Sequence, residues 1–418
     1  MNNRKVMMRC IFFFVILYLC SFVDLLGQKE YKPLHNYIKN GGAITSILPT
    51  IQNLEKDDDF KDAPSLYYHA ALCYRKANDV ENTKVYLKQA YDTVSFFNTT
   101  YGMFDYVLKC DEKDRLPGKN GKVKLKYRSK GYDLVINKYL NLYNAGIFFT
   151  RKKDYANAAK FWSMYLDAAD QPLFAKADLK NTDNKMPRAA FWYMSCCYEL
   201  KDYKNVFKYS DVAIKDSANS DLYYQYRAVS YAQLKDSLNY EKELKEGMEK
   251  EPYDMFFFTN LMDYYNKTYQ FNKSLALADS ILSLNPNKNI VKFAKSVVLY
   301  NMKNYDDCIT LSKDILAVDS TNVDCWFYVG GSYFNKAVEI DDNIKPNINA
   351  KNYSTNKQKA RDLFKEALPY MEKYMKLRPE DKNRWAPLLY RIYLSLNMGK
   401  KFSEIDALLS KQAETPKK

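Results

Sequence analysis

Histidine is nearly missing from this chain: His35 and His69 are the only two in 418 residues. A histidine-rich metal centre is thereby excluded, and a general base would have little to draw on. Carboxylate chemistry is not excluded. Glycine (12) and proline (13) are too sparse for a collagenous or disordered chain. Beyond residue 27 only six cysteines remain, Cys73, Cys110, Cys196, Cys197, Cys308 and Cys325, and none stand in C-x-x-C spacing. That is no disulfide scaffold. They read as small buried apolar side chains, with a Cys73–Cys110 or Cys308–Cys325 bridge as the alternative in an oxidising compartment.

Catalytic signatures are missing too. There is no G-x-S-x-G elbow, no H-E-x-x-H and no paired Cys/His spacing. The segment Gly118-Lys119-Asn120-Gly121-Lys122-Val123 lacks the glycine gap and the Ser or Thr of a phosphate loop. The acidic run Glu55–Asp59 lacks the spaced, glycine-containing loop of a calcium site and reads as a solvated surface. No enzyme, cofactor or metal site is expected.

What is present begins with a leader. Arg4, Lys5 and Arg9 precede an unbroken apolar run from Cys10 to Phe22, and Asp24 follows. A basic start, a short apolar core and a small residue at Gly27 predict a secretory signal over 1–27. The run falls short of the roughly 20 residues of a membrane span. Cys20 offers a lipidated alternative, but Tyr18 and Leu19 stand where small residues are expected. The mature chain then carries 61 basic against 49 acidic residues, net +12. Outside the cytoplasm that charge points to anionic envelope surfaces rather than to nucleic acid.

The dominant signal is a period of 34. Tyr231, Tyr265, Leu299 and Tyr333 are 34 apart, as are Ala228, Met262, Ser296 and Gly330, and Pro252 and Pro286 close successive units. Within units the apolar spacing is helical, as in Leu275, Ala278, Ile281 and Leu282. Lys201-Asp202-Tyr203 and Lys303-Asn304-Tyr305 mark tight turns between paired helices.

These units resemble tetratricopeptide repeats. Cys325-Trp326-Phe327-Tyr328-Val329-Gly330-Gly331-Ser332-Tyr333 matches the first half of the family pattern, and Asn144–Phe149 with Asp154–Trp162 matches both halves. Tyr67–Ala90 and Phe191–Ile214 fit as well, the latter one residue short at its turn. The resemblance covers most of 60–410 in roughly seven units. It implies an all-α, right-handed superhelical solenoid of helix-turn-helix repeats with a concave inner face. One helix pair cannot hide its apolar face alone, so stacked pairs bury a continuous core. Fixed aromatic positions in that core account for the 38 tyrosines.

The expected organisation is a lead-in over 28–60, a first unit over 61–98, units over 138–338, and capping helices over 358–411 with a mobile tail at 412–418. Two insertions interrupt it. Residues 99–137 include a stretch, 109–130, with nine basic and three acidic residues, read as a solvated loop or as a docking surface for an acidic partner. Val123–Tyr127 alternates like a short exposed strand. Residues 339–357 are polar and asparagine-rich, as an extended interhelical loop would be.

In this family the first helix of each pair lines the groove. Carried over position by position, the resemblance implies groove residues Tyr68, Arg75, Lys76, Tyr143, Arg151 and Trp192. In later units it implies Gln225, Gln233, Asn266, Lys267, Tyr300, Asn301, Phe327 and Asn335. Rings, amides and cations suit an extended peptide. The family's carboxylate clamp is not reproduced, because Tyr68 and Leu72 replace its Lys and Asn. Asp-Ser-aliphatic sequences at Ser217, Ser237 and Ser320 resemble acceptor sites of a bacterial O-glycosylation system, although Asp-Ser is also ordinary turn chemistry.

The sequence therefore predicts an exported, non-catalytic scaffold, in the periplasm or peripheral to the outer membrane, that binds a protein or peptide partner. The second reading is an outer-membrane-associated glycan-binding protein on the same scaffold.

Overall fold

The computed structural model describes residues 31–118, 121–344 and 352–413. The leader, Cys20 and most of the tail lie outside them. Two compact units divide between Glu251 and Pro252. Every regular element among the described residues is helical, and none is long and apolar enough to cross a membrane.

The first unit opens with α1 (Lys32–Asn40) and α2 (Leu48–Lys56). Both begin on a proline in the first turn, where the missing N–H costs nothing. Four hairpins follow. They are α3 (Pro64–Tyr86) with α4 (Thr93–Asp114), and, after the short α5 (Arg128–Val135), α6 (Tyr139–Arg151) with α7 (Tyr155–Ala168). A one-turn helix, α8 (Leu179–Thr182), leads to α9 (Met186–Glu199) with α10 (Ser210–Ala213), then α11 (Ser220–Gln233) with α12 (Ser237–Lys250). Consecutive first arms also meet, α6 with α9 and α9 with α11. The second unit repeats the plan: α13 (Met255–Lys267) with α14 (Phe271–Leu284), and α15 (Asn289–Asn301) with α16 (Tyr305–Val318). Then come α17 (Val323–Asp342) with α18 (Tyr353–Leu377), and α19 (Lys382–Ser395) with α20 (Gly399–Ala413).

The turns explain why the helices stop. Lys201, Lys235, Tyr269 and Lys303, again 34 apart, all hold φ between 56° and 61°. Each donates its N–H back to the helix it ends, and the next residue reaches one residue deeper: Lys235 N to Ala232 O, Asp236 N to Tyr231 O. This satisfies the last carbonyls of the helix. Asp154 and Asp236 then cap the following helix by accepting from Asn157 N and Asn239 N. A left-handed lysine costs on the order of 1 kcal/mol, which glycine avoids at some expense in unfolded-state entropy. Lys201→Gly with Lys235→Gly should therefore raise the urea midpoint of the first unit by about 0.5–1 kcal/mol of stability. A lowered midpoint would contradict the assignment.

Aromatic rings fill the cores, as expected. Trp162, Phe161 and Tyr165 are fully buried, Tyr139 stacks on Tyr165 at 4.4 Å, and Phe149 stacks on Phe161 at 5.3 Å.

Three expectations need correction. Residues 99–114 are not an insertion but the body of α4, whose Thr99, Met103, Phe104, Val107 and Cys110 are buried. At 23 and 22 residues the first hairpin overruns the 34-residue period, so a boundary drawn from the period falls inside its second arm. Val123–Tyr127 forms no strand, because no neighbouring strand offers it a ladder. The polar insertion is shorter than 339–357, since α17 runs on to Asp342 and α18 starts at Tyr353.

All six cysteines are buried and unbridged. Burial pushes the Cys73, Cys110, Cys197 and Cys325 thiols up to about 12 and Cys196 to about 11, and it raises Cys308 as well. A thiol at about 12 is ionised to roughly one part in ten thousand at pH 8, too little to react. Alkylation at pH 8 mapped by peptide mass spectrometry should leave these six unmodified until denaturant is added. Rapid native labelling at any of them would refute the burial, and failure to label in denaturant would refute the free thiol.

Candidate ligand-binding surface

The residues expected to line the groove sit on first arms, because side chains one helical turn apart share a face. In the first unit Tyr68 lies half-buried on α3 with its ring 5.1 Å from Tyr127, and burial raises its hydroxyl pKa. Arg75, on the same helix, is exposed and reaches Asp79 at 3.5 Å. Lys76 is half-buried because its stem passes over Gly41, where an added Cβ would meet Lys76 Cε at 3.1 Å. On α6, Tyr143 stands edge-on to Trp162 at 5.1 Å, and Arg151 is exposed at the helix end. Trp192 on α9 is half-buried against Phe191, and Gln225 on α11 is half-buried.

The second unit is more selective. Lys267 is exposed and pairs with Asp263 at 2.7 Å along its own helix, and Asn301 is exposed. Tyr300 and Asn335 find each other: Asn335 Nδ2 donates to the Tyr300 hydroxyl at 3.0 Å. The Tyr300 ring also packs edge-on to Tyr328 at 5.3 Å. Phe327 is a correction. It is only 8% exposed, with the Arg384 guanidinium 3.9 Å over its ring and Tyr374 at 5.3 Å, so it belongs to the core and cannot line a groove. A position that faces outward in a bare repeat is covered here by α19.

The basic stretch is also less basic than its composition. Lys109 pairs with Asp105 and Glu55, Lys113 with Asp62, and Arg115 and Arg128 both with the buried Asp111. Four of its nine cations are thus neutralised in place. Exposed Lys124 lines a surface cleft of about 600 Å³ together with Lys113 and Lys122, faced by Asp62 and Asp114. The cleft is mixed in sign, and it sorts ligands poorly by charge alone.

Several polar constellations gave no sequence signal because their partners are far apart in the chain. Asn78 is fully buried on α3 and donates to Phe96 O, Thr99 Oγ1 and Thr100 Oγ1, while Lys138 Nζ donates to its Oδ1 at 3.1 Å. Burial lowers the Lys138 pKa. Arg188 holds Asp216 through two bonds of 2.6 and 3.1 Å, and Arg227 likewise grips Glu243. Asn78 and Arg227 join the two arms of their hairpins, and Arg188 ties α9 to the connection after α10. Among the described residues no group of three or more His, Cys, Asp or Glu side chains converges on a metal position.

Ser217, Ser237 and Ser320 are exposed. Their preceding aspartates have structural work: Asp216 accepts from Arg188, Asp236 caps α12, and Asp319 accepts from Thr321 N at 2.9 Å.

No protein-family model matches the chain, and no curated protein matches it. Solved structures do. A TPR repeats protein from Bacteroides fragilis is 20% identical over 65% of this chain and 98% of its own, at a TM-score of 0.31. The C-terminal part of a TPR repeat-containing protein from Cytophaga hutchinsonii is 12% identical over 62% and 91%, at 0.41. YrrB, described as a TPR protein with an unusual peptide-binding site, is 15% identical over 50% and 93%, at 0.33. The hairpin array itself rests on this chain's own helices and turns: it is an all-α protein of stacked helical hairpins.

Proposed function

We propose that this chain is a non-catalytic helical-repeat scaffold that holds a protein or peptide partner along its first arms, in the periplasm of a Gram-negative cell. The carrying observation is the series Tyr68, Arg75, Tyr143, Arg151 and Trp192. It offers exposed or half-exposed rings and cations on first arms of one unit, where an extended chain can meet several in turn. The basic, apolar leader at 1–27 supports export. Exposed Lys124, Lys126 and Lys130 give a secondary, electrostatic contact with anionic envelope surfaces, and Ser217, Ser237 and Ser320 remain accessible acceptors for glycosylation. The carbohydrate reading has little surface to work with, since Trp162 and Trp385 are enclosed in the cores.

Mild cross-linking in cells, capture from the envelope fraction and mass spectrometry test this. Arg75→Ala with Arg151→Ala removes two exposed cations without opening a core, and should abolish recovery of a reproducible protein partner. Undiminished recovery, or retention of polysaccharide with no protein, would overturn the reading.

A further inference from the structure

The chain's only two histidines meet. His35 on α1 and His69 on α3, 34 residues apart, bring their Nε2 atoms within 2.9 Å, with ring centroids 4.7 Å apart and planes at 72°. His69 Nδ1 lies 2.7 Å from the Ser65 carbonyl, an acceptor only, so Nδ1 must carry the proton and Nε2 offers its lone pair toward His35. A backbone carbonyl on the far nitrogen is how metal-ligating imidazoles are commonly oriented. Tyr31 packs its ring 5.2 Å from His69, and its hydroxyl is shared with Ser65 Oγ at 3.1 Å, which holds that ring in place. His35 is exposed, so a hydrated ion has access.

The spacing discriminates between two arrangements. A linear N–H···N bond at this nitrogen separation would set the ring centroids about 5.2 Å apart. An ion about 2.0 Å from both nitrogens, with the near-right-angled cis bonds of a tetragonal sphere, would set the nitrogens about 2.8 Å and the centroids about 4.5 Å apart, whereas a tetrahedral ion would set the nitrogens about 3.3 Å apart. The pair stands closer to the second.

We propose that His35 and His69 form a two-histidine site for a borderline divalent transition ion that accepts cis ligands near a right angle, Ni²⁺ or Cu²⁺, with water in the remaining positions. Imidazole suits these ions, whereas Mg²⁺ and Ca²⁺ prefer oxygen. On binding, the His35 proton moves from Nε2 to Nδ1, so both Nε2 lone pairs face the ion and no net proton is released. The ion then ties α1 to α3. With only two protein ligands it exchanges, and it is weaker than a four-ligand structural site.

Calorimetric titration of the untagged full chain with NiCl₂ tests this. One equivalent should bind, and His35→Gln and His69→Gln should each weaken that phase at least tenfold. With Cu²⁺, the electron paramagnetic resonance spectrum should lose one of two nitrogen couplings in either variant. His35→Gln changes an exposed side chain, so its result stands even if His69→Gln loosens the fold. Unchanged Ni²⁺ affinity and stoichiometry in H35Q/H69Q, or no Ni²⁺ binding at about 1 mM, would overturn the site.

Discussion

Gly146→Ala should destabilise the first unit by about 2–4 kcal/mol, although it adds one methyl group to the middle of a helix. Position 146 lies on α6 where that helix crosses α7. A Cβ built there would fall 2.5 Å from two atoms of the Trp162 indole, closer than real Cβ contacts come. The indole cannot yield, because it is fully buried and its Nε1 donates to Thr150 Oγ1 at 3.2 Å. Helix propensity runs the other way, favouring alanine by about 1 kcal/mol, so a net loss isolates the packing cost. Gly399→Ala supplies the contrast. Nothing lies within 4 Å of a Cβ at Gly399, at the start of α20, and alanine there should be neutral or mildly stabilising. Urea unfolding followed by tryptophan fluorescence reads both, and equal effects from the two substitutions would refute the close approach.

Gly146 lies in the Asn144–Phe149 segment that matches the repeat pattern, so its place in a repeat is legible in the sequence. The same holds for Gly330, where a Cβ would meet the Met371 sulfur at 2.8 Å. Period, small positions and turns are local signals, and local signals survive in sequence. The first hairpin overruns the bounds that the period implies because its arms are 23 and 22 residues long, which carries buried Met103, Phe104 and Val107 past the expected end of the unit. Of the residues expected in the groove, Arg75, Arg151, Lys267 and Asn301 are exposed, and Phe327 is not. What covers Phe327 is Arg384, 57 positions along, and no pattern inside one repeat carries that information. His35 and His69 share the difficulty: at 34 residues they are in register, but only the docking of α1 on α3 makes register into contact.

Arg227→Ala should cost the first unit about 3–5 kcal/mol, because it strands a carboxylate rather than because it deletes a favourable pair. Glu243 is 3% exposed on α12, and Arg227 on α11 grips both its oxygens, with Nε to Oε2 at 2.8 Å. The guanidinium lies between aromatic rings, 5.2 Å from the centroid of Tyr223 and 5.4 Å from that of Phe207. It therefore also fills volume, and alanine leaves a cavity as well as an unpaired charge. The guanidinium pKa is raised: burial opposes its charge, but the bonds to Glu243 outweigh burial, so Arg227 keeps its charge. Two variants separate charge from volume. Arg227→Met keeps most of the side-chain volume and strands the same carboxylate, so it should retain most of the loss. Arg227→Met with Glu243→Leu removes both charges at similar volume, and should recover most of the stability or exceed the parent. The coupling between the two sites, read from the urea midpoints of singles and double, should reach about 2–3 kcal/mol. Additive singles would mean that Glu243 finds water or another donor once Arg227 is gone. In that case the hairpin α11–α12 would be held by its apolar contacts alone.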